Sequence, residues 1–232
     1  TSYVRVINKT QTTGASRSSL GVSRQPGTND IVVSGTISPQ DGQKRFLLTV
    51  HAPGLFGGTL LKEALTSKGI VVHGNAGIVN DGQKAPRNDE LLLVSHVSPP
   101  LSTIINHVNK ASHNLSAELL FRTLGAVHYG KGTSPNGTRV MLETLERAGV
   151  VVEEVTIRDG SGLSRLSMVT PFQMVSLLEF MYHHPAFIYF YNSLPVAGVD
   201  GTLSLRMVGT CAEGNVWAKT GFSTHTESLS GY

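Results

Sequence analysis

The spacing of apolar residues changes character partway along the chain, and no single regular architecture accommodates both patterns. In residues 1–53, Tyr3 to Ile7, Asp30 to Ile37 and Arg45 to Val50 have strand composition, and Pro26-Gly27 marks a turn. Leu55 to Lys68 reads as a helix with Leu60, Leu61 and Leu65 on one face and Gly69 as its stop, followed by a strand at Ile70-Val71-Val72. Residues 74–90 collect Gly, Asn, Asp and Lys and read as a loop and candidate domain boundary.

From Leu91 the texture becomes helical. Pro99-Pro100 introduces Leu101, Ile104, Ile105 and Val108, an i, i+3, i+4, i+7 set. Ser112-His113-Asn114 breaks that pattern, and Asn114 is the expected cap of a second helix over Leu115 to Leu124. A polar loop, Tyr129 to Gly137, leads to a third helix with Met141, Leu142 and Leu145 and a stop at Gly149, and Val150 to Ile157 reads as a strand. Thr170-Pro171-Phe172-Gln173 has the form of a capping box opening a helix over Val175 to Tyr182. Residues 194–203 form a Gly/Pro/Asp turn region, and Asn215 to Lys219 with Glu227 to Tyr232 read as a hairpin.

Composition excludes several classes. Hydrophobic residues make up 40% of the chain, enough for a core, which rules out a disordered tail, a coiled coil and a collagen-like repeat. The most apolar stretch, Met174 to Tyr191, is interrupted by Glu179, His183, His184 and Pro185 and is no membrane span. The 19 Lys and Arg are scattered, without the basic face expected of a nucleic-acid binder. One cysteine, Cys211, permits no intrachain disulfide, and with nine scattered His, of which His183-His184 are adjacent rather than spaced for a metal, no zinc site is expected.

One triplet carries chemistry. Lys219-Thr220-Gly221 follows a strand-like Val216-Trp217-Ala218, and it occurs with S-x-x-K and S-D-N in penicillin-interacting serine enzymes. A Lys supplies positive charge for a substrate carboxylate, a Thr supplies a hydroxyl, and a Gly lets a substrate backbone lie close. By composition alone the triplet reads equally as a strand end running into a turn. Ser-x-Asn occurs twice. Ser134-Pro135-Asn136 reads as a turn, and Ser112-His113-Asn114 reads either as helix capping or as a proton-relaying Ser beside an amide-binding Asn.

The Ser112 segment, Lys110 to Leu120, resembles the S-x-N region of the D-alanyl-D-alanine carboxypeptidase/endopeptidase family, low-molecular-mass penicillin-binding proteins with inserted domains. Three more blocks follow in the family's order: Asp159 to Arg165, Leu194 to Leu203, and Ala218-Lys219-Thr220-Gly221 with Leu229 to Tyr232. The resemblance implies an α+β/α/β fold: a partial penicillin-binding/serine β-lactamase-like transpeptidase domain over residues 96–232, with rear parts of inserted β-rich and α/β domains over residues 1–95. It implies acyl transfer that needs no metal or organic cofactor. A nucleophilic Ser attacks the carbonyl between two terminal D-Ala residues of a peptidoglycan stem peptide, and water releases the acyl-enzyme. Ser112 would pass a proton to the departing amine, Asn114 would hydrogen-bond the peptide, and Lys219 would hold Ser112 and the carboxylate. Thr220, Gly221 and Phe222 would bind substrate, with the Phe222 N–H as one oxyanion-hole donor, and Leu163 would line the stem-peptide pocket. β-Lactams would inhibit, and the place of action would be the periplasm or cell wall.

Departures from the family pattern are specific. His113 fills the middle S-x-N position, where Asp or Asn is usual and the residue points away from the chemistry. Phe222 stands where Thr or Ser usually helps grip the carboxylate, and His225-Thr226 replaces a common Gly-Val. No Ser-x-x-Lys occurs in the 232 residues; Thr59-Leu60-Leu61-Lys62 has the nearest spacing but reads as a helix start. The expectation is therefore the rear portion of a longer, interleaved enzyme whose nucleophile lies elsewhere, with both ends cut and exposed strand edges. The competing expectation is a catalytically dead relative that binds peptidoglycan or a partner.

Overall fold

The structure, a computed structural model, describes residues 1–78, 95–224 and 226–232. It divides into two compact units, Thr1–Leu93 and Val94–Tyr232. The first holds a three-stranded sheet of β1 (Arg5–Thr12), β2 (Ser19–Arg24) and β3 (Asp30–Ile37), followed by α1 (Pro53–Ser67). β3 is central, parallel to β1 and antiparallel to β2. The Pro26-Gly27 turn joins β2 to β3, and Gly27 takes the positive φ of 74° that such a turn demands. β3 and α1 follow the sequence expectation closely. β2 forms where the sequence pattern gives no strand, whereas Arg45–Val50 and Ile70–Val72, with strand composition, form none. Leu47 is 94% exposed, so this stretch gains little burial and pairs with no strand among the described residues.

The second unit holds the buried apolar residues: Phe121, Val140, Val150, Val155, Leu194, Val196, Ala197, Leu203 and Ala218. Its elements are α2 (Leu101–Ala111), α3 (Asn114–Tyr129), α4 (Ser134–Arg147), α5 (Pro171–His183), α6 (Phe187–Ser193), a 3-10 turn (Gly201–Leu203), and the antiparallel pair β4 (Ala218–Ser223) and β5 (Thr226–Gly231). α3 and α4 form a helical hairpin around Phe121 and Val140. α5 opens with the capping box anticipated from sequence: Thr170 Oγ1 accepts from Gln173 N, and Gln173 Oε1 accepts from Thr170 N. The apolar stretch from Met174 to Tyr191 breaks into α5 and α6 at His184, and no helix among the described residues is long and apolar enough to cross a membrane.

Three expectations need correction here. α3 is capped by His113, not Asn114, which is its first residue. Ser134-Pro135-Asn136 is the first turn of α4 rather than a loop turn, because Thr133 Oγ1 caps the Asn136 N–H and Pro135 is preset for helix entry. Val150–Ile157 forms no strand beyond one bridge, Thr156 to Met168. The reading of residues 79–90 as loop, and of the His225 turn, falls outside the described residues.

The root of the β4–β5 hairpin is fixed by aromatic packing. Trp217 stacks on Tyr191 at 4.9 Å, and Tyr232 meets Phe187 edge-on at 5.3 Å while its hydroxyl donates to Leu178 O at 2.6 Å. β4 is thereby anchored at one end to the helical layer that also carries α2.

Candidate active site

Ser112 ends α2 in a left-handed conformation, φ 53° and ψ 50°. A non-glycine residue takes that conformation at a cost of about 1–2 kcal/mol, so its surroundings must hold it. α2 closes behind it, with His113 N donating to Val108 O at 3.0 Å. α3 restarts two residues later. Its first turn is clamped by His113, whose Nδ1 lies 2.8 Å from Ser116 Oγ and accepts from Ser116 N at 3.4 Å.

Across from Ser112, Lys219 of β4 donates from Nζ to Ser112 Oγ at 2.9 Å and to Thr220 O at 2.6 Å. The two residues lie 107 positions apart in sequence, and the fold delivers them into hydrogen-bond contact. Burial pushes the Lys219 ammonium below the ordinary lysine range, because the charged form loses hydration.

The Leu194–Leu203 segment sets this distance. Ser193 to Ala197 are all buried. On one side the segment grips α2: Ser193 Oγ accepts from Asn109 Nδ2 at 2.7 Å, and Asp200 takes Lys110 Nζ on both oxygens at 2.8 and 2.6 Å. Gly201 lies so close to α2 that a Cβ there would stand 2.9 Å from Lys110 O, at a positive φ of 57°. On the other side the segment grips β4: Pro195 O accepts from Ala218 N at 2.9 Å, and Thr202 Oγ1 pairs with Thr220 Oγ1 at 2.7 Å. Asp200 Oδ1 also accepts from Val196 N at 2.9 Å, which closes the turn.

The register of the hairpin determines what β4 presents. Trp217 and Tyr232 exchange two backbone hydrogen bonds, each 2.9 Å. Hydrogen-bonded pairs alternate along an antiparallel ladder, so Lys219, Gly221 and Ser223 bond to β5 through Ser230, Ser228 and Thr226. The backbone groups of Ala218, Thr220 and Phe222 therefore face the opposite edge, where Ala218 N meets Pro195 O. Among the described residues no strand covers that edge beside Thr220 and Phe222. The Phe222 N–H faces the open edge without a partner among the described residues, close in sequence to the Lys219–Ser112 pair.

The remaining anticipated residues are placed as follows. Asn114 is exposed at the start of α3, and its side chain makes no hydrogen bond among the described residues. Gly221 has a role inside the hairpin: a Cβ there would collide with the Ser228 hydroxyl across the ladder. The Phe222 side chain is 79% exposed. Leu163, 57% exposed, sits on a separate loop organised by Asp159, whose carboxylate accepts from Ser161 Oγ and from the N–H groups of Gly162, Leu163 and Ser164 at 2.9–3.2 Å. That loop is tied to α3 by Gly160 N donating to Glu118 Oε2 at 2.8 Å. Sequence reasoning missed Lys110, Asp200 and Thr202 as the parts that join α2 to β4. Their presence in the matched blocks was the available signal.

The chain is similar to known proteins over nearly its whole length. The family model described as D-Ala-D-Ala carboxypeptidase 3 (S13) family matches residues 2–232. A D-alanyl-D-alanine carboxypeptidase of Actinomadura sp. (strain R39) is 38% identical over 99% of this chain and 44% of its own length. The D-alanyl-D-alanine carboxypeptidase DacB of Haemophilus influenzae is 28% identical over 88% of this chain and 42% of its own length. A crystal structure of penicillin-binding protein 4 (dacB) from Haemophilus influenzae, complexed with a novel β-lactam, superposes with a TM-score of 0.81 at 26% identity, covering 99% of this chain and 53% of that one. The fold is thus the mixed α/β fold of a penicillin-binding protein. The chain spans less than half the length of the curated relatives it matches.

Proposed function

Because the chain belongs to the D-Ala-D-Ala carboxypeptidase 3 (S13) family, we propose that it forms the Ser-x-Asn and Lys-Thr-Gly side of a serine-type D-alanyl-D-alanine carboxypeptidase/endopeptidase. Its substrate is a peptidoglycan stem peptide, and β-lactams acylate it in place of that peptide. The observation that carries the reading is the 2.9 Å contact between Lys219 Nζ and Ser112 Oγ, beside an open strand edge bearing the Phe222 N–H. Residues 96–232 supply the rear of the catalytic domain, and residues 1–95 belong to inserted domains.

In this scheme Lys219, charged and half-buried, orients the Ser112 hydroxyl and lowers the free energy of negative charge near it. Ser112 passes a proton to the departing amine, as a positioned hydroxyl between a cation and the leaving group can do. The substrate peptide lies along the open edge of β4. There the Phe222 N–H donates to the developing oxyanion, and the Asn114 side chain, without a hydrogen bond among the described residues, receives the peptide amide. Thr220 offers its hydroxyl from the same strand face as Phe222, and Leu163 borders the stem-peptide side chain. The work site is outside the cytoplasmic membrane, where this substrate occurs.

The attacking serine belongs to a Ser-x-x-Lys, and none occurs in these 232 residues. A fluorescent penicillin is therefore expected to label the full-length protein covalently and to leave the 232-residue chain unlabelled. Labelling of the short chain overturns the assignment of the nucleophile. Failure of the full-length protein to label, with reversible peptidoglycan binding retained, replaces the enzyme by a binding protein.

A further inference from the structure

We propose that His113 is a positioning residue that couples the Ser112–Lys219 geometry to pH; the inference rests on the reading of that pair as catalytic. The Ser116 N–H donates to His113 Nδ1 at 3.4 Å, and the Ser116 hydroxyl, able to donate or accept, lies 2.8 Å from the same atom. The N–H bond needs a bare Nδ1, which in the neutral ring places the proton on Nε2. In this form the imidazole does the work of an N-cap, satisfying an N–H that the first turn of a helix leaves unpaired. Histidine is an unusual cap, and unlike Asn, Ser or Thr it loses its acceptor on protonation near neutral pH.

The location gives that change leverage. His113 follows Ser112, which holds a left-handed backbone between the end of α2 and the start of α3. The cap fixes where α3 begins, and with it the path of the two residues joining the helices. A proton on Nδ1 takes the acceptor away from the Ser116 N–H and leaves the ring a donor that the Ser116 hydroxyl can meet instead. It also places a positive charge at the positive end of the α3 dipole. Both effects push the cap open and free Ser112 to leave the conformation that presents its hydroxyl to Lys219.

The charged surroundings reinforce that direction. On α2, the His107 ring lies 4.8 Å from the His113 ring, and Lys110 is already neutralised by Asp200. From β4, Lys219 brings a cation to the neighbouring Ser112. On α3, Glu118 is engaged by Arg122 and by the Gly160 N–H. The available counter-charges are thus occupied, and an imidazolium at His113 gains no partner from them.

The test compares the full-length protein with two variants between pH 5 and 8.5. His113→Asn keeps a cap that does not titrate, and His113→Ala removes it. The first readout is the hydrogen-exchange protection of the Ser116 amide, which reports the cap directly. The second is the rate of acylation by a fluorescent penicillin. In the wild type both are expected to fall together on acidification within this range. His113→Asn is expected to lose that acid limb in both readouts. His113→Ala is expected to sit about fivefold low across the range, the size of a lost cap. An acid limb that persists in His113→Asn overturns the proposal, as does Ser116 protection that ignores pH in the wild type. If Ser116 protection follows pH as stated while no variant is acylated at any pH, the cap inference stands and the peptidase reading fails.

Discussion

Leu194–Leu203 and Asp159–Ser164 are both glycine-containing loops organised by one aspartate, and they do different things for the site. Asp200 reaches outward to Lys110 on α2 and inward to Val196 N. Asp159 spends its carboxylate on its own loop, accepting from Ser161, Gly162, Leu163 and Ser164. The first loop has a run of buried residues from Ser193 to Ala197, and the second leaves Leu163 largely exposed. The same chemistry, a carboxylate satisfying turn N–H groups, builds a long-range strut in one place and a self-contained platform in the other. Only the strut sets the distance between Ser112 and Lys219.

The largest effect tests the pair that the strut serves. Lys219→Ala is expected to cut acylation of the full-length protein by a penicillin by about 10²-fold or more, since it removes the charge beside the hydroxyl proposed to relay the proton. Its thermal midpoint should change little, because a half-buried ammonium whose hydration is already reduced contributes no net stability. A variant that acylates at the wild-type rate breaks the assignment. Next, Asp200→Ala is expected to cost about 1–3 kcal/mol in urea unfolding, with the ion-pair share reduced by solvent screening. It should also slow acylation about tenfold by loosening the catalytic geometry. Asp159→Ala is expected to cost a similar amount of stability, about 1–3 kcal/mol. It should leave penicillin acylation unaltered and raise KM for a stem peptide, because its loop carries Leu163. Equal acylation losses in both variants would erase the distinction between strut and platform.

A pH titration sharpens the same contrast. The folded-state pKa of Lys219 is depressed by burial, so the ammonium deprotonates at lower pH than an unfolded lysine does. Unfolding therefore takes up a proton between the folded value and the ordinary one, and across that window stability rises with pH. Activity moves the other way: the acylation rate is expected to fall on an alkaline limb that begins below the usual lysine range. Lys219→Arg, which stays protonated, should remove that limb, and an unchanged limb would assign it to another group.

Local signals were the most legible part of this chain. The Thr170–Gln173 box, the α2 stripe of Leu101, Ile104, Ile105 and Val108, and the Pro26-Gly27 turn all depend on neighbours within a few residues, and each formed as anticipated. Strand assignments failed where pairing decided the outcome. Ser19–Arg24 joins β3 by register despite its polar composition, while Val150–Ile157 has the right residues and no ladder to enter. The cap of α3 was misread because Asn ranks first by propensity, whereas His113 holds the position one residue earlier, outside the usual set of caps. Ordered motif blocks brought Ser112 and Lys219 to notice. What ties them, Lys110 to Asp200 and Thr202 to Thr220, is tertiary and has no pattern in local spacing.

The smallest expected effect on stability tests the open edge itself. Phe222 lies on the same face of β4 as Thr220, and its ring is 79% exposed, so Phe222→Thr removes little packing and should shift stability by less than about 0.5 kcal/mol. Its effect on recognition should be larger. The wild-type edge offers one side-chain hydroxyl, on Thr220, and that hydroxyl already shares a hydrogen bond with Thr202. A second hydroxyl at position 222 would give a substrate carboxylate a donor that the phenyl ring withholds. The variant is therefore expected to favour a penicillin over its methyl ester about tenfold more than the wild type does, as one added hydrogen bond to a charged group allows. The measurement is the ratio of the two acylation rates, which cancels changes in the nucleophile. An unchanged ratio would mean that the carboxylate does not lie against this face of β4, and that Lys219 and Thr220 receive it without passing Phe222.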